Sequence, residues 1–416
     1  MNIKKKIIVI AAFAVLLISN SVSIGAFYTR TTNFCEHSNS YLRYNPLLKI
    51  EADAATSNNR DAPILICFKD HLYMGTHNPE DGCELYRSID AEHWEKIVGK
   101  GADIPNGFGK RSNCAIWSGK VFGDHLYFGT INLIHGCEIW RSSDGVNWTA
   151  VVGGDSKTIG GFGGILHFLN YYAWCMEEFN GKLYVGTFNF FLGGQIWASS
   201  DGVNWTRVIG GINKKPTGNG FGDRANYGIR TLKTFNGSLY AGTATHPLKL
   251  FRGCEIWRTS DGNNWTKVDK DGFGSFRNVY AWSMEEVNGS LYVGTINLKN
   301  GCELWRTSDG SSWEQVASGG IIDKNNVGAR KIAVFQGDIY VGICNLVDGC
   351  VILRSKDDGV TWNQTNENGF GNNRNWAVRQ LTLFNDELYT GVWNQKGYSL
   401  IKYDGVQWTK IDVEAL

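Results

Sequence analysis

This chain has almost no proline, six residues in 416, and no surplus of charge: 41 Lys and Arg face 40 Asp and Glu, a formal charge of +1. A protein that binds by neutralising phosphates carries a basic excess, so nucleic acid is excluded as an expected partner. Long apolar runs are missing beyond the first 26 residues, which leaves no later segment able to cross a bilayer. Metal-ligand patterns are missing too. No Cys-x-x-Cys occurs, the eight histidines show no ligand spacing, and no glycine-rich phosphate loop opens a helix. No metal or cofactor is expected.

What is present in quantity is glycine, 51 residues, with 16 Trp, 17 Tyr and 21 Phe, a composition that suits short strands and tight turns. Lys4, Lys5 and Lys6 precede an apolar run from Ile7 to Ile18, and Ser23, Gly25 and Ala26 offer small residues for cleavage. Residues 1–26 therefore read as a signal peptide, with an uncleaved anchor as the alternative. Residues 27–58 read as an N-terminal extension. Export permits disulfides, yet Cys83, Cys137, Cys254, Cys302 and Cys350 recur at one repeat position, too far apart to bridge. They read as small buried apolar residues. Cys35, Cys67, Cys114, Cys175 and Cys344 are left without a deducible pairing.

An internal repeat organises residues 59–416. The segment LYVGT and its variants begin at Leu72, Leu126, Leu183, Leu239, Leu291, Ile339 and Leu388. In the fifth copy, strands are predicted over 278–287, 290–297, 302–307 and 312–317, separated by Asn288-Gly289 and other turn sequences. Four short antiparallel strands recurring about every 50 residues predict a propeller blade. The expected fold is all-β: a seven-bladed β-propeller of four-stranded antiparallel blades.

The turn between third and fourth strands carries the most specific motif. Ser355-Lys-Asp357-Asp-Gly359-Val-Thr-Trp362 has the spacing S-x-D-x-G-x-x-W and resembles the Asp-box of sialidase-like propellers. The other copies hold a form one residue shorter, as in Ser142-Ser-Asp144-Gly-Val-Asn-Trp148. The Asp is placed to accept bonds from the turn's own amides while the Trp packs beneath it. Together with the G-F-G-x-x-x-N linkers at 107–113, 220–226, 272–278 and 369–375, the repeat is similar to that of exported prokaryotic propellers. That resemblance implies a cell-surface context and no established reaction.

Candidate ligand-binding residues come from the linker face, where propeller loops converge. Asn113, Asn170, Asn226, Asn278, Asn326 and Asn375 recur at the linker's end and offer amide donors and acceptors to a sugar or peptide; the alternative is that each satisfies backbone groups there. Departures from the repeat carry more functional weight. Six residues before the first hairpin turn, successive copies read Pro63, Trp117, Trp174, Arg230, Trp282, Arg330 and Arg379. Arginines in three copies resemble the cluster that grips a carboxylate in sialidases, although this chain lacks that family's Arg-Ile-Pro motif. No catalytic residue is expected. Lys120, Glu177, Lys233 and Glu285 alternate in sign at one position and predict lateral salt bridges.

The sequence thus predicts a secreted or cell-surface propeller that acts as a binding or scaffold module, with a polysaccharide or a surface protein as its expected partner. A sialidase-like glycoside hydrolase and a purely structural cell-envelope protein are the alternatives.

Overall fold

A computed structural model describes residues 58–411 except 164–165, 212–216, 247–251 and 395–396. The predicted signal peptide and nearly all of the extension lie outside the described residues. Among the described residues, no helix is long and apolar enough to cross a membrane.

The fold is all-β, with antiparallel strands in blade-like groups. In the first group β1 (Asp61–Phe68), β2 (His71–His77), β3 (Leu85–Ser88) and β4 (Glu95–Val98) pair in succession. The same order recurs over 113–152, 172–209, 226–267, 280–317, 326–364 and 375–411. In the 280–317 group the strands run Tyr280–Val287, Ser290–Ile296, Leu304–Thr307 and Glu314–Ala317, within two residues of the predicted starts. One backbone bridge ties the second strand of a group to the first strand of the next, as at His77↔Ala115, Ile131↔Tyr172 and Phe188↔Gly228.

Turn chemistry fixes each group's outer edge. Asp261 accepts bonds from the Asn263 and Asn264 amides at 2.8 and 2.7 Å, and Thr259 Oγ1 accepts from the Gly262 amide at 2.9 Å. Donation by the Asn264 and Asn263 amides holds the Asp261 carboxyl well below the usual carboxylate range. The glycine is required twice over. Gly262 has φ +80°, and a Cβ added there would fall 2.1 Å from the Tyr184 hydroxyl of the preceding group. Tyr73 and Tyr127 are set against Gly145 and Gly202 in the same way.

The linkers lock neighbouring groups. Phe108, Phe162, Phe221, Phe273 and Phe370 all adopt left-handed backbone, with φ between 54° and 66°. That conformation is costly for a bulky residue. The compensation is a ring stack on a third-strand tryptophan: Phe108 on Trp140 at 4.6 Å and Phe221 on Trp257 at 4.5 Å. The last group breaks the pattern. Thr390 pairs with Ile401 where Phe128 pairs with Trp140, and a cavity of about 380 Å³ opens beside Phe370, Ile401 and Trp408. Ile401→Trp is expected to fill it and raise stability by about 1 kcal/mol, read as a higher midpoint in thermal unfolding.

The first and last groups meet directly. Gln380 Nε2 donates to the Pro63 carbonyl at 3.1 Å and Thr382 Oγ1 to the Leu65 carbonyl at 3.0 Å. Leu65, Leu72 and Tyr86 share one buried cluster with Phe384, Tyr389 and Leu400. All nine described cysteines are free thiols, and the repeat-position five are fully buried.

Candidate functional site

The first strands of all the groups line one cavity of about 260 Å³. A β-bulge builds its wall. In the first strands of successive groups the pairing register slips between Asp61 and Ile64, Ile116 and Ser118, Ile229 and Thr231, Ala281 and Ser283, and Ala329 and Lys331. The same slip separates Ala173 from Cys175, and in the last group it divides the strand at Arg379. A bulge leaves one residue unpaired and re-aims its side chain. Here that residue is Pro63, Trp117, Trp174, Arg230, Trp282, Arg330 or Arg379, and each lines the cavity. Proline is tolerated at a bulge because no ladder bond needs its missing N–H.

Aromatic and guanidinium planes pack against one another around this wall. Arg230 lies 5.0 Å from the Trp174 ring and 5.9 Å from the Trp282 ring, and Arg330 lies 4.9 Å from Trp282. Trp117 stacks on Tyr172 at 5.7 Å with an interplanar angle of 10°. Arg379 sits 5.3 Å from Trp117 and 5.1 Å from Trp393. Such contacts hold the charge over the ring face and leave the edge N–H groups unspent. Desolvation pushes the Arg230 guanidinium down to about 10, and the same cause, reinforced by Arg379 and Arg230, lowers Arg330 well below the usual arginine range. Arg230 remains charged at neutral pH.

The arginines are not equivalent. Arg379 is spent on Asp61: its Nε donates to Oδ1 at 2.8 Å, a second contact joins the terminal nitrogen to Oδ2, and the two residues are 6% and 0% exposed. Next along the same strands, Lys120 pairs with Glu177 at 2.7 Å and Lys233 pairs with Glu285, the lateral bridges that the alternating signs predict. Glu177 and Glu285 are thereby committed to lysines.

The six candidate asparagines do not join this site. Asn113, Asn170, Asn226, Asn278, Asn326 and Asn375 are all buried, and none lines the cavity. Asn113 Nδ2 donates to the Gly107 carbonyl at 2.9 Å and to Glu138 at 2.8 Å, while its Oδ1 accepts from Asn132 at 2.8 Å. Asn170, Asn278, Asn326 and Asn375 repeat the donation to a linker glycine and the acceptance from a following asparagine. Asn226 donates to Gly220 and Glu255 and accepts from Thr243. The linker-end asparagines anchor the linker and do not form an open rim of amides.

Four residues escaped the sequence reading. Lys331 lines the cavity beside Arg330 because the bulge turns consecutive residues inward. Asp61 was hidden by its separation of 318 residues from Arg379. Tyr227 and Tyr280, whose hydroxyls touch, back Trp174 and stand at positions that vary between copies. Lys331 alone was discoverable, as a charge where the other copies place the uncharged Ile64, Ser118, Cys175, Thr231, Ser283 and Gln380. Among the described residues no cluster of three His, Cys, Asp or Glu side chains is placed to hold a metal ion.

No protein-family model matches the chain, and no curated protein sequence matches it. Solved structures do. The chain is similar to the WD40 β-propeller domain of Doa1 at 11% identity and a TM-score of 0.50, over 83% of this chain and 94% of that one. It is similar to a puromycin hydrolase S511A mutant complexed with PGG at 13% identity and a TM-score of 0.54, over 85% and 53% of the two chains. A puromycin-hydrolyzing peptidase of Mycobacterium tuberculosis aligns at 10% identity and a TM-score of 0.54, over 85% and 53%. The chain spans about half the length of these two enzymes. At such identities the likeness concerns the fold alone: that of a β-propeller.

Proposed function

We propose that this protein is an exported seven-bladed β-propeller of the Asp-box type, and that it binds a carbohydrate or a surface protein through the bulge-lined cavity without catalysing a reaction. The blade count rests on the recurring strand order from 61–98 to 375–411 and on the contacts between first and last groups. The Asp-box assignment rests on turn geometry, and export on the basic and apolar N-terminal sequence.

One observation carries the binding reading. Every group turns its bulged residue into the same cavity, and at that position the repeat changes chemistry from Pro to Trp to Arg. Features shared by all copies serve assembly; a position that every copy aims inward yet fills differently serves what occupies the space. The half-buried Trp117 ring and the guanidinium edges held against the buried Trp174 and Trp282 rings suit a sugar ring and its oxygens.

The test is a titration of the purified full chain against soluble polysaccharides and envelope proteins, with product detection on the same samples. Binding without product is expected, and Trp282→Ala is expected to weaken it by about 30-fold, as loss of a central aromatic anchor does. Turnover that vanishes in Arg330→Gln would instead make the protein a hydrolase. Failure to bind any member of either class would leave it a spacer.

A further inference from the structure

The charges in the cavity do not balance. Lys120 is paired with Glu177, Lys233 with Glu285 and Arg379 with Asp61. Arg230, Arg330 and Lys331 also line the cavity, and among the described residues none of them has a carboxylate within salt-bridge reach. Arg330 Nε is buried without a hydrogen-bond partner. All three side chains are half-buried; drawing an unpaired cation even partly out of water is costly, and a fold retains it where something offsets the cost. Trp174 and Trp282 offset part of it through the guanidinium faces. Among the edge donors, Arg330 Nε is still unsatisfied.

From this arrangement we infer that the cavity receives a tetrahedral oxyanion, the sulfate or phosphate ester group of a larger ligand, held between Arg230, Arg330 and Lys331. The inference rests on the reading of the cavity as a binding site and names the chemistry of its occupant. Arg230 and Arg330 come from the strands on either side of the one that carries Trp282, so their forks approach from two directions. Lys331 follows Arg330 across the bulge and adds an ammonium to the same cavity, on the side of the Glu285 and Glu177 carboxylates, which attract it without pairing to it. A planar carboxylate fills one fork and leaves the other cations unpaired. A tetrahedral group presents oxygens in several directions, accepts from both forks and the ammonium, and brings up to two negative charges against three positive ones. A neutral sugar supplies no charge at all. Burial lowers both Arg330 and Lys331, the direction that a bound anion reverses.

The test uses the full chain at constant ionic strength, with inorganic sulfate, inorganic phosphate and acetate as probes and a glucose oligosaccharide as the uncharged control. Sulfate or phosphate is expected to raise the thermal midpoint of the native protein, to quench tryptophan fluorescence, and to bind at least about tenfold tighter than acetate. Preference between the two anions tells whether the natural ligand is a sulfate or a phosphate ester. Arg230→Gln and Arg330→Gln are each expected to weaken the anion by about tenfold or more, and the pair together to abolish both effects. Should a glutamine variant fail to fold, Arg330→Lys keeps the charge, loses the fork and is expected to bind with intermediate strength. Tighter binding of acetate, or anion binding indifferent to both arginines, overturns the inference. Binding of the glucose oligosaccharide or of an envelope protein that is unaffected by both substitutions, with no response to any anion, also overturns it while sparing the binding reading. If no probe, glycan or protein binds, both fall.

Discussion

Asp269→Asn is expected to raise the thermal midpoint by several degrees at pH 8 and to change it little at pH 4. Asp269 follows the fourth strand of the 226–267 group, where its Oδ1 accepts the Ile256 amide at 2.8 Å and its Oδ2 is buried without a partner. Desolvation pushes this carboxyl up to about 8 against the opposing Ile256 amide and Lys267; Glu255 and Asp271 add to the rise. The next repeat but one shows what the site is shaped for. Asn366 accepts the Ile352 amide at 2.6 Å through Oδ1, while its Nδ2 donates to the Cys350 and Glu367 carbonyls at 3.3 and 2.7 Å. A protonated Asp269 imitates that amide; an ionised one cannot. Because the folded value lies above the unfolded 3.8, the native state holds a proton that the unfolded chain has lost throughout the interval. Stability from this group is complete below pH 4 and falls as pH rises towards 8, by up to about 1.4 kcal/mol per unit. Above that the carboxylate is charged in both states and the loss is constant. Midpoints of the native protein and Asp269→Asn, measured from pH 4 to 9, should coincide at the acid end, diverge up to about pH 8 and run parallel beyond it. Parallel curves would show that Asp269 is not held neutral.

Repetition made most of this architecture legible. The 280–317 group has its strands where the hairpin and Asp-Gly turns place them, because turn residues with positive φ fix where a strand must stop. Repetition also misdirected the site. Asn113 and its counterparts recur so regularly that they invite a functional role, yet their regularity follows from each linker needing the same buried donor. The position held by Arg230, Arg330 and Trp282 was visible as a break in the pattern. What made it a site, an unpaired residue in each first strand, has no mark in a single sequence: a bulge adds no characteristic residue, and it becomes apparent only as slipped pairing against the second strand. Partners far apart in the chain were beyond reach for a different reason. Asp61 and Arg379 belong to the first and last groups, and only the meeting of those groups brings them together.

That pair carries the second large effect. Asp61→Asn is expected to destabilise the protein by about 3–5 kcal/mol, the usual cost of removing one member of a buried ion pair. The Arg379 guanidinium would keep its place against Trp117 and Trp393 but lose both carboxylate contacts in a site that is 6% exposed. Since the pair bridges the first and last groups, the loss falls where those two groups meet. Urea unfolding at neutral pH reads it as a lower midpoint with an unchanged slope. Adding Arg379→Gln to Asp61→Asn removes the stranded charge and should recover much of the loss, so the double variant falls well short of the sum of the singles. Strict additivity would mean that the two side chains do not act as a pair. Asp61→Asn also frees a further guanidinium in the same wall, next to Arg330, whose charge Arg379 already repels. Sulfate should therefore stabilise Asp61→Asn by more than it stabilises the native protein, because the added anion takes over the neutralisation that Asp61 performs.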